Sequence, residues 1–400
     1  MGKDSSVSSE NPLVLRGRLV TPRGVVDDGA VVVDDATIVW VGPAEVLPRG
    51  WTLTEPTDAT ILPGLVDLHC HGGGGASFPD ALDAAQAQRA VDEHRRHGTT
   101  SLVASLVTAA PDVLLARTAV LAQLAEAGEI VGIHLEGPFL SAARCGAQNP
   151  ADMLEGDPEL VRRIADAAGG HLATMTVAPE VPGADAVIEA LVDVGAVPSL
   201  GHTDASAEQV DRAVDLGFDL LAARSNRRLT ATHLFNGMRP LHHRDPGPVS
   251  ACLAAAARGE LVVELVADGT HLADGTVRAV FDLVGAGSVA LVTDAMAAAG
   301  MPDGEYQLGP MTVHVADGVA RVADETGAIA GGVAHLLDIV RTVVAAGVPL
   351  EDAVLAAATV PADVLGRRDL GALAAGRRAD LVVTDADLGV LRVMRGGAWV

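Results

Sequence analysis

The sequence predicts a (β/α)8 TIM barrel joined to a small β-sandwich domain built from both chain termini. Three observations carry this prediction. Eight short apolar runs alternate with longer Ala/Leu/Val-rich helical patterns between residues 61 and 370, the layout of an eightfold β/α repeat. Both chain ends instead alternate apolar and polar residues in short stretches broken by Gly and Asp, as antiparallel strands with tight turns do. Most of the eight runs end in His, Asp or Glu, and a barrel gathers its functional groups at the C-terminal ends of its strands. A doubly wound open sheet shares the periodicity and stands as the structural alternative.

The elements follow in order. Residues 1–11 are polar and lack the apolar segment of a secretory signal, so a disordered tail is expected. Residues 12–60, with LVLRGRLVTP and GAVVVDDATIVWVGP, and residues 371–400, with ADLVVTDADLGVLRVM, supply the β domain. The barrel strands are read at LVDLH (65–69), TSLVASL (100–106), VGIHLEG (131–137), ATMTVAP (173–179), VPSLGHT (197–203), TATHLFN (230–236), VVELVAD (262–268) and VALVTDA (289–295). Helical stretches such as 111–128 and 205–217 lie between them. Residues 306–332 break the rhythm and read as a β insertion near the end of the barrel.

Composition narrows the function classes. A chain of 400 residues with 49% hydrophobic content has material for one barrel and a small companion. No apolar run reaches the roughly 18 residues of a membrane span, so a cytoplasmic protein is expected. A net charge of −24 disfavours nucleic acid and anionic membranes as partners. Cys70, Cys145 and Cys252 are far apart and odd in number, which argues against a disulfide framework. Lys3 is the sole lysine.

Strand one ends in His69 and His71, strand three in Glu136, strand five in His202, strand six in His233 and strand eight in Asp294; strand seven leads to Asp268 and His271. Alternate residues of a strand share a face, so His69 and His71 can both point into the barrel mouth while Cys70 points outward. Imidazole and carboxylate together suit a divalent metal such as zinc or iron. The glycines at 72–75 would allow a substrate close to the backbone.

PGLVDLHCH (63–71) resembles the first-strand signature of the amidohydrolase superfamily, and GALAAGRRADLVV (371–383) resembles the closing strand of its small β domain. HLEGPFLS (134–141), GHTDA (201–205), THLFNGM (232–238), ADGTH (267–271) and VTDA (292–295) resemble, in this order, its N-acetylglucosamine-6-phosphate deacetylase family. The resemblance implies a principal metal site of Glu136, His202 and His233. Some members keep a second metal on the first-strand histidines and others lack that pair; this sequence retains His69 and His71, so a second metal is expected there, with Glu136 bridging. Zinc is favoured, with iron, manganese, cobalt or cadmium as alternatives, and two ions per subunit over one. Many two-metal members bridge with a carboxylated lysine; no lysine follows Lys3, so a carboxylate must serve.

The resemblance further implies that Asp294 is general base and then general acid in hydrolysis of an acetamide. Asn236, Gly237 and His271 would contact the phosphosugar, and Arg244 would reach the phosphate in the neighbouring subunit of a homodimer. The family pattern Lys-Gly-Ala-His is replaced by Arg144-Cys145-Gly146-Ala147-Gln148. Gln148 thus stands where a carbonyl-polarising histidine is often found and cannot carry its charge, and Cys145 is placed near the substrate. The segment at 222–229 (AARSNRRL) lengthens the link between strands five and six without an assigned role. The expected reaction is deacetylation of N-acetylglucosamine 6-phosphate in amino-sugar catabolism or cell-wall recycling. The alternatives are the galactosamine epimer, another amidohydrolase reaction, and a non-catalytic metal-binding barrel.

Overall fold

A computed structural model describes residues 12–324 and 327–400; the tail expected at 1–11 lies outside the described residues. Eight parallel strands run Leu65–Cys70, Thr99–Val107, Gly132–Glu136, Leu172–Val177, Val197–Leu200, Leu229–Ala231, Leu261–Leu265 and Val289–Leu291. They pair in that sequence order. The sheet also closes: Cys70 bridges Ala295 in parallel, the Asp294 N–H donates to His69 O at 2.8 Å, and the His71 N–H donates to Ala295 O at 2.7 Å. Closure excludes the open doubly wound sheet.

The barrel strands are buried on both faces, inward by side chains filling the barrel and outward by helices, which is why they read as nearly continuous apolar runs. Strands six and eight hold only three residues each. The polar residues just beyond strands five, six and eight leave the extended conformation: His202, His233 and Asp294 have φ of 47°, 28° and 47°. Non-glycine residues in this left-handed region store strain, a feature concentrated at functional sites.

The chain ends meet in a seven-stranded sheet of Leu13–Thr21, Gly24–Asp34, Thr37–Pro43, Thr60–Pro63, Leu381–Thr384, Val390–Arg395 and Ala398–Trp399. The two facing layers expected of a sandwich come from this one sheet curling on itself. The edge strand Thr37–Pro43 returns to the segment ahead of Leu381, with the Ile38 N–H donating to Arg377 O at 2.9 Å and the Ala379 N–H to Ala36 O at 2.7 Å. Leu19, Val31, Ile38, Ile61, Leu381 and Met394 are buried between the layers.

The interrupted rhythm near 306 corresponds to a three-stranded antiparallel sheet, Gly304–Leu308, Met311–Ala316 and Val319–Val322. It packs Leu308, Val313 and Val322 against Val107 and Met296 and so stands over the C-terminal end of the barrel.

Candidate metal centre and active site

Six of the residues singled out from the sequence converge at the barrel mouth. Glu136 sits in the middle. Its Oε1 lies 2.9 Å from His202 Nε2 and 2.8 Å from His233 Nε2, and its Oε2 lies 3.2 Å from His71 Nε2. Asp294 Oδ1 is 3.4 Å from His69 Nε2 and 3.3 Å from His71 Nε2. Two three-residue sets result, Glu136–His202–His233 and His69–His71–Asp294, each with its ligand atoms within 4.8 Å of one another.

The donor chemistry fits a divalent cation. His202 Nδ1 lies 2.8 Å from Arg144 O and His71 Nδ1 lies 3.2 Å from Ser105 O. A carbonyl can only accept, so each Nδ1 carries the proton and leaves an Nε2 lone pair facing inward. Nitrogen then meets nitrogen, with His233 Nε2 3.1 Å from His202 Nε2 and His69 Nε2 2.9 Å from His71 Nε2. Such convergence of lone pairs and carboxylates calls for positive charge, as a cation or as protons. Without a cation the protons stay: burial pulls His71 and His233 down, but the Asp294 and Glu136 carboxylates outweigh it and hold His71 at about 10, while Glu136 above all holds His233 at about 9. Burial also opposes ionisation of Glu136 and Asp294, yet the surrounding imidazoles hold both well below the usual carboxylate range.

Gln148 is tied into this centre. Its side-chain oxygen accepts from the Thr108 N–H at 2.8 Å, which turns its amide nitrogen to donate to Glu136 Oε2 at 2.5 Å. A cavity of about 250 Å3 opens above, lined by His71, Glu136, Gln148, His202, His233 and Asp294 together with Asn236, Gly237 and His271. Its roof comes from Leu308, Ala328, Ile329 and Gly331, in and beyond the β insertion. His271 Nδ1 donates to Asp268 at 2.8 Å, which fixes the ring at the rim.

Two expected site residues lie elsewhere. Cys145 is half-buried and not among the lining residues; its neighbour Gly146 takes the wall position instead. Arg244 is exposed on the loop before helix Gly247–Ala257 and is absent from the cavity wall of its own subunit. The glycine run also differs from expectation. A Cβ on Gly73 would sit 2.7 Å from His94 Nε2, and one on Gly74, at φ +57°, 3.1 Å from Glu93 Cβ. Gly73 and Gly74 are therefore required by helix Ala84–Arg96, a Cβ on Gly72 would meet Ala76 O at 2.3 Å, and none of the four lines the cavity. Cys70 points outward as expected, its Sγ 3.3 Å from His94 Nε2.

Three buried polar residues escaped the sequence reading. Glu264 places Oε2 3.5 Å from His69 Nδ1 and accepts from the His233 N–H at 3.4 Å. His134 packs its ring 4.5 Å from that of His69, hydrogen-bonded to Ser105 and Thr176 at 2.9 Å each. Asp67 accepts from the Thr293 hydroxyl at 2.6 Å, and burial raises it to about 6. Each is a polar residue inside an otherwise apolar strand run, and Asp67 and His134 share a face with His69 and Glu136 two residues on; that was the available signal.

A closed barrel with a two-part histidine–carboxylate centre at its strand ends defines a class of metal-dependent hydrolase folds. The amidohydrolase family model matches residues 60–400, and the chain belongs to that family. It is 33% identical to N-acetylglucosamine-6-phosphate deacetylase of Lysinibacillus sphaericus, over 87% of each chain. It is 32% identical to N-acetylgalactosamine-6-phosphate deacetylase of Escherichia coli O157:H7, over 95% of this chain and 97% of that one. Among solved structures, N-acetyl-D-glucosamine-6-phosphate deacetylase of Mycobacterium smegmatis, as an aspartate-to-alanine variant in complex with N-acetyl-D-glucosamine-6-phosphate, superposes with a TM-score of 0.90. That pair shares 42% identity over 97% of this chain and 99% of the other.

Proposed function

We propose that the protein hydrolyses the acetamide of N-acetyl-D-glucosamine 6-phosphate to D-glucosamine 6-phosphate and acetate. The observation that carries this reading is the convergence of His69, His71, Glu136, His202, His233 and Asp294 beneath one cavity rimmed by Asn236, Gly237 and His271. The names of the relatives and of the M. smegmatis structure support the substrate class.

Glu136, His202 and His233 would hold one divalent cation, zinc by preference for this nitrogen-rich set. His69, His71 and Asp294 would hold a second, with Glu136 between them. When bound, the cation supplies Lewis-acid polarisation of the acetyl carbonyl and lowers the pKa of water. Asp294, ionised at neutral pH, accepts the proton of the attacking water and returns it to the departing nitrogen as the C–N bond breaks. Gln148 fixes the orientation of Glu136 through its amide N–H. His271, Asn236 and the Gly237 backbone hold the phosphosugar. In a homodimer, the exposed Arg244 reaches the phosphate in the neighbouring subunit, where a guanidinium matches a phosphate dianion. No described helix is long and apolar enough to cross a membrane, and we read the enzyme as cytoplasmic.

The E. coli relative's name keeps the galactosamine epimer as a second substrate reading. Acetate release from each N-acetyl-amino-sugar 6-phosphate, with and without a chelator, tests both. Turnover of the glucosamine epimer that is lost on chelation is expected; no turnover of either sugar would defeat the proposal.

A further inference from the structure

The segment 222–229, unassigned by the sequence, borders a cavity of about 630 Å3 lined by Ser225, Asn226, Arg227, Arg228, Asp363 and Arg368, with Phe218, Gly259 and Gly366 among the rest of the wall. It lies at the barrel end opposite the active site. Arg228 directly precedes strand Leu229–Ala231, Gly259 precedes strand Leu261–Leu265, and Arg228 bonds to residues just ahead of strand Val289–Leu291.

The charges here are unbalanced. Arg227 and Arg228 are both half-buried. Arg227 donates to Ser225 Oγ at 3.1 Å and Gly195 O at 2.7 Å. Arg228 donates to Ser288 Oγ at 3.3 Å and Gly287 O at 2.8 Å. Every one of these acceptors is neutral. Among the described residues neither guanidinium forms an ion pair, and neither does Arg368. Asp363 is the single carboxylate in the wall and only its longer-range field reaches Arg228. Burial lowers both arginines from their ordinary value without deprotonating them at neutral pH. In a chain of net charge −24, where most other arginines have a carboxylate at hand, three unpaired guanidiniums around one cavity form a local positive site. Taking a charge from water without a partner is costly, and an anion entering the cavity would supply that partner.

We infer that this cavity is a second anion site, distinct from the catalytic one, for a small molecule bearing a phosphate group. Arginine forks match phosphate oxygens through paired charge-assisted hydrogen bonds, and a cavity of this size is ordinary for a small-molecule ligand. Its place at the N-terminal ends of the strands separates it from the chemistry, so it binds and does not react.

Equilibrium dialysis of the full-length enzyme with inorganic phosphate, pyrophosphate and glucosamine 6-phosphate, in separate arms, tests the site. The double variant Arg227→Gln/Arg228→Gln should lose one equivalent of at least one probe, or bind it roughly tenfold more weakly. Its acetate-releasing activity and circular dichroism should match wild type. The arm that responds identifies whether the ligand is free phosphate, a diphosphate or a sugar phosphate. If the double variant misfolds, Arg368→Glu, on an exposed side chain, replaces it, and amide exchange of 222–228 and 363–368 should slow when the responding probe is added. Unchanged binding in a folded variant, or no binding beyond the catalytic equivalent in wild type in all three arms, overturns the inference.

Discussion

Asp294 is the residue on which the proposed mechanism turns. Its left-handed backbone turns the carboxylate back toward His69 and His71, and the imidazoles keep it ionised despite burial. Asp294→Asn keeps the shape and removes the proton acceptor. It should lower kcat by roughly 10^2–10^4-fold while the cation at Glu136, His202 and His233 stays in place; full activity with unchanged metal content would refute the role. The two sets of ligands separate in a second variant. His69→Ala/His71→Ala should reduce bound metal from two equivalents to one, read by elemental analysis, and a wild type that carries one equivalent, unchanged in the variant, would rule out the second ion. Protons report on the same centre. His71 and His233 are raised to about 10 and about 9 from 6.5. In the metal-free protein their stabilisation is therefore complete below pH 6.5 and is lost as pH rises through 9 to 10. Metal ligation requires neutral imidazole, so loading at pH 7 should release about two protons and loading above pH 10 about none. Calorimetry in buffers of different ionisation enthalpy measures this, and no proton release at pH 7 would contradict the assignment.

At the scale of elements, the eight barrel strands were legible because each is a short apolar run, most of them with a polar end, and those polar ends are where the centre forms. Glu264 and His134 were not, because they lie inside their runs, where a polar residue reads as an interruption unless its facing partner is known. The place of Cys145 was beyond the sequence as well: in the short 3-10 turn of Ala142–Arg144 and the loop after it, a one-residue rotation decides that Gly146 and not Cys145 faces the cavity. The glycine run 72–75 was visible but the cause of Gly73 and Gly74 was not, since His94 and Glu93 come from a helix about twenty residues on. Glu93 also bonds to Arg96 at 2.8 Å and to His335 at 3.0 Å, and so ties two helices behind the first strand. Gly300 closes against it: at φ +76°, a Cβ there would lie 2.1 Å from Glu93 Oε1. With Glu93 held by two partners, it cannot simply swing aside. Gly300→Ala should destabilise the protein by about 1–3 kcal/mol, seen as a lower urea midpoint with an unchanged slope; a midpoint equal to wild type would show that the Glu93 network yields freely.

For the molecule as a whole, the question is why a barrel should carry a sheet made from its two chain ends. Asp380 gives a physical answer. It is buried, and its carboxylate accepts from Thr100 Oγ1 at 3.1 Å, from the Gly396 N–H at 2.8 Å and from Arg378 Nε at 2.9 Å. Its carbonyl accepts from the Gly64 N–H at 2.8 Å, just before the first barrel strand. Arg395 adds a bond to Thr100 O at 3.0 Å. One residue thus joins the last turn of the chain, the entry to the first barrel strand and the start of the second. All of these contacts lie at the N-terminal ends of the strands, away from the metal centre. Asp380→Ala would leave the Thr100 hydroxyl and the Gly396 N–H without their acceptor and the Arg378 guanidinium without its carboxylate, holding only Ser101 Oγ at 3.0 Å. It should cost about 2–4 kcal/mol of unfolding free energy, while kcat and KM at 25 °C stay within about twofold of wild type, because no residue of the cavity touches it. Asp380→Asn should recover part of the loss, since the amide oxygen can still accept. A variant that keeps its stability but loses kcat would mean that the seam reaches the active site through the barrel, and the sheet would then belong to the catalytic apparatus and not to its support.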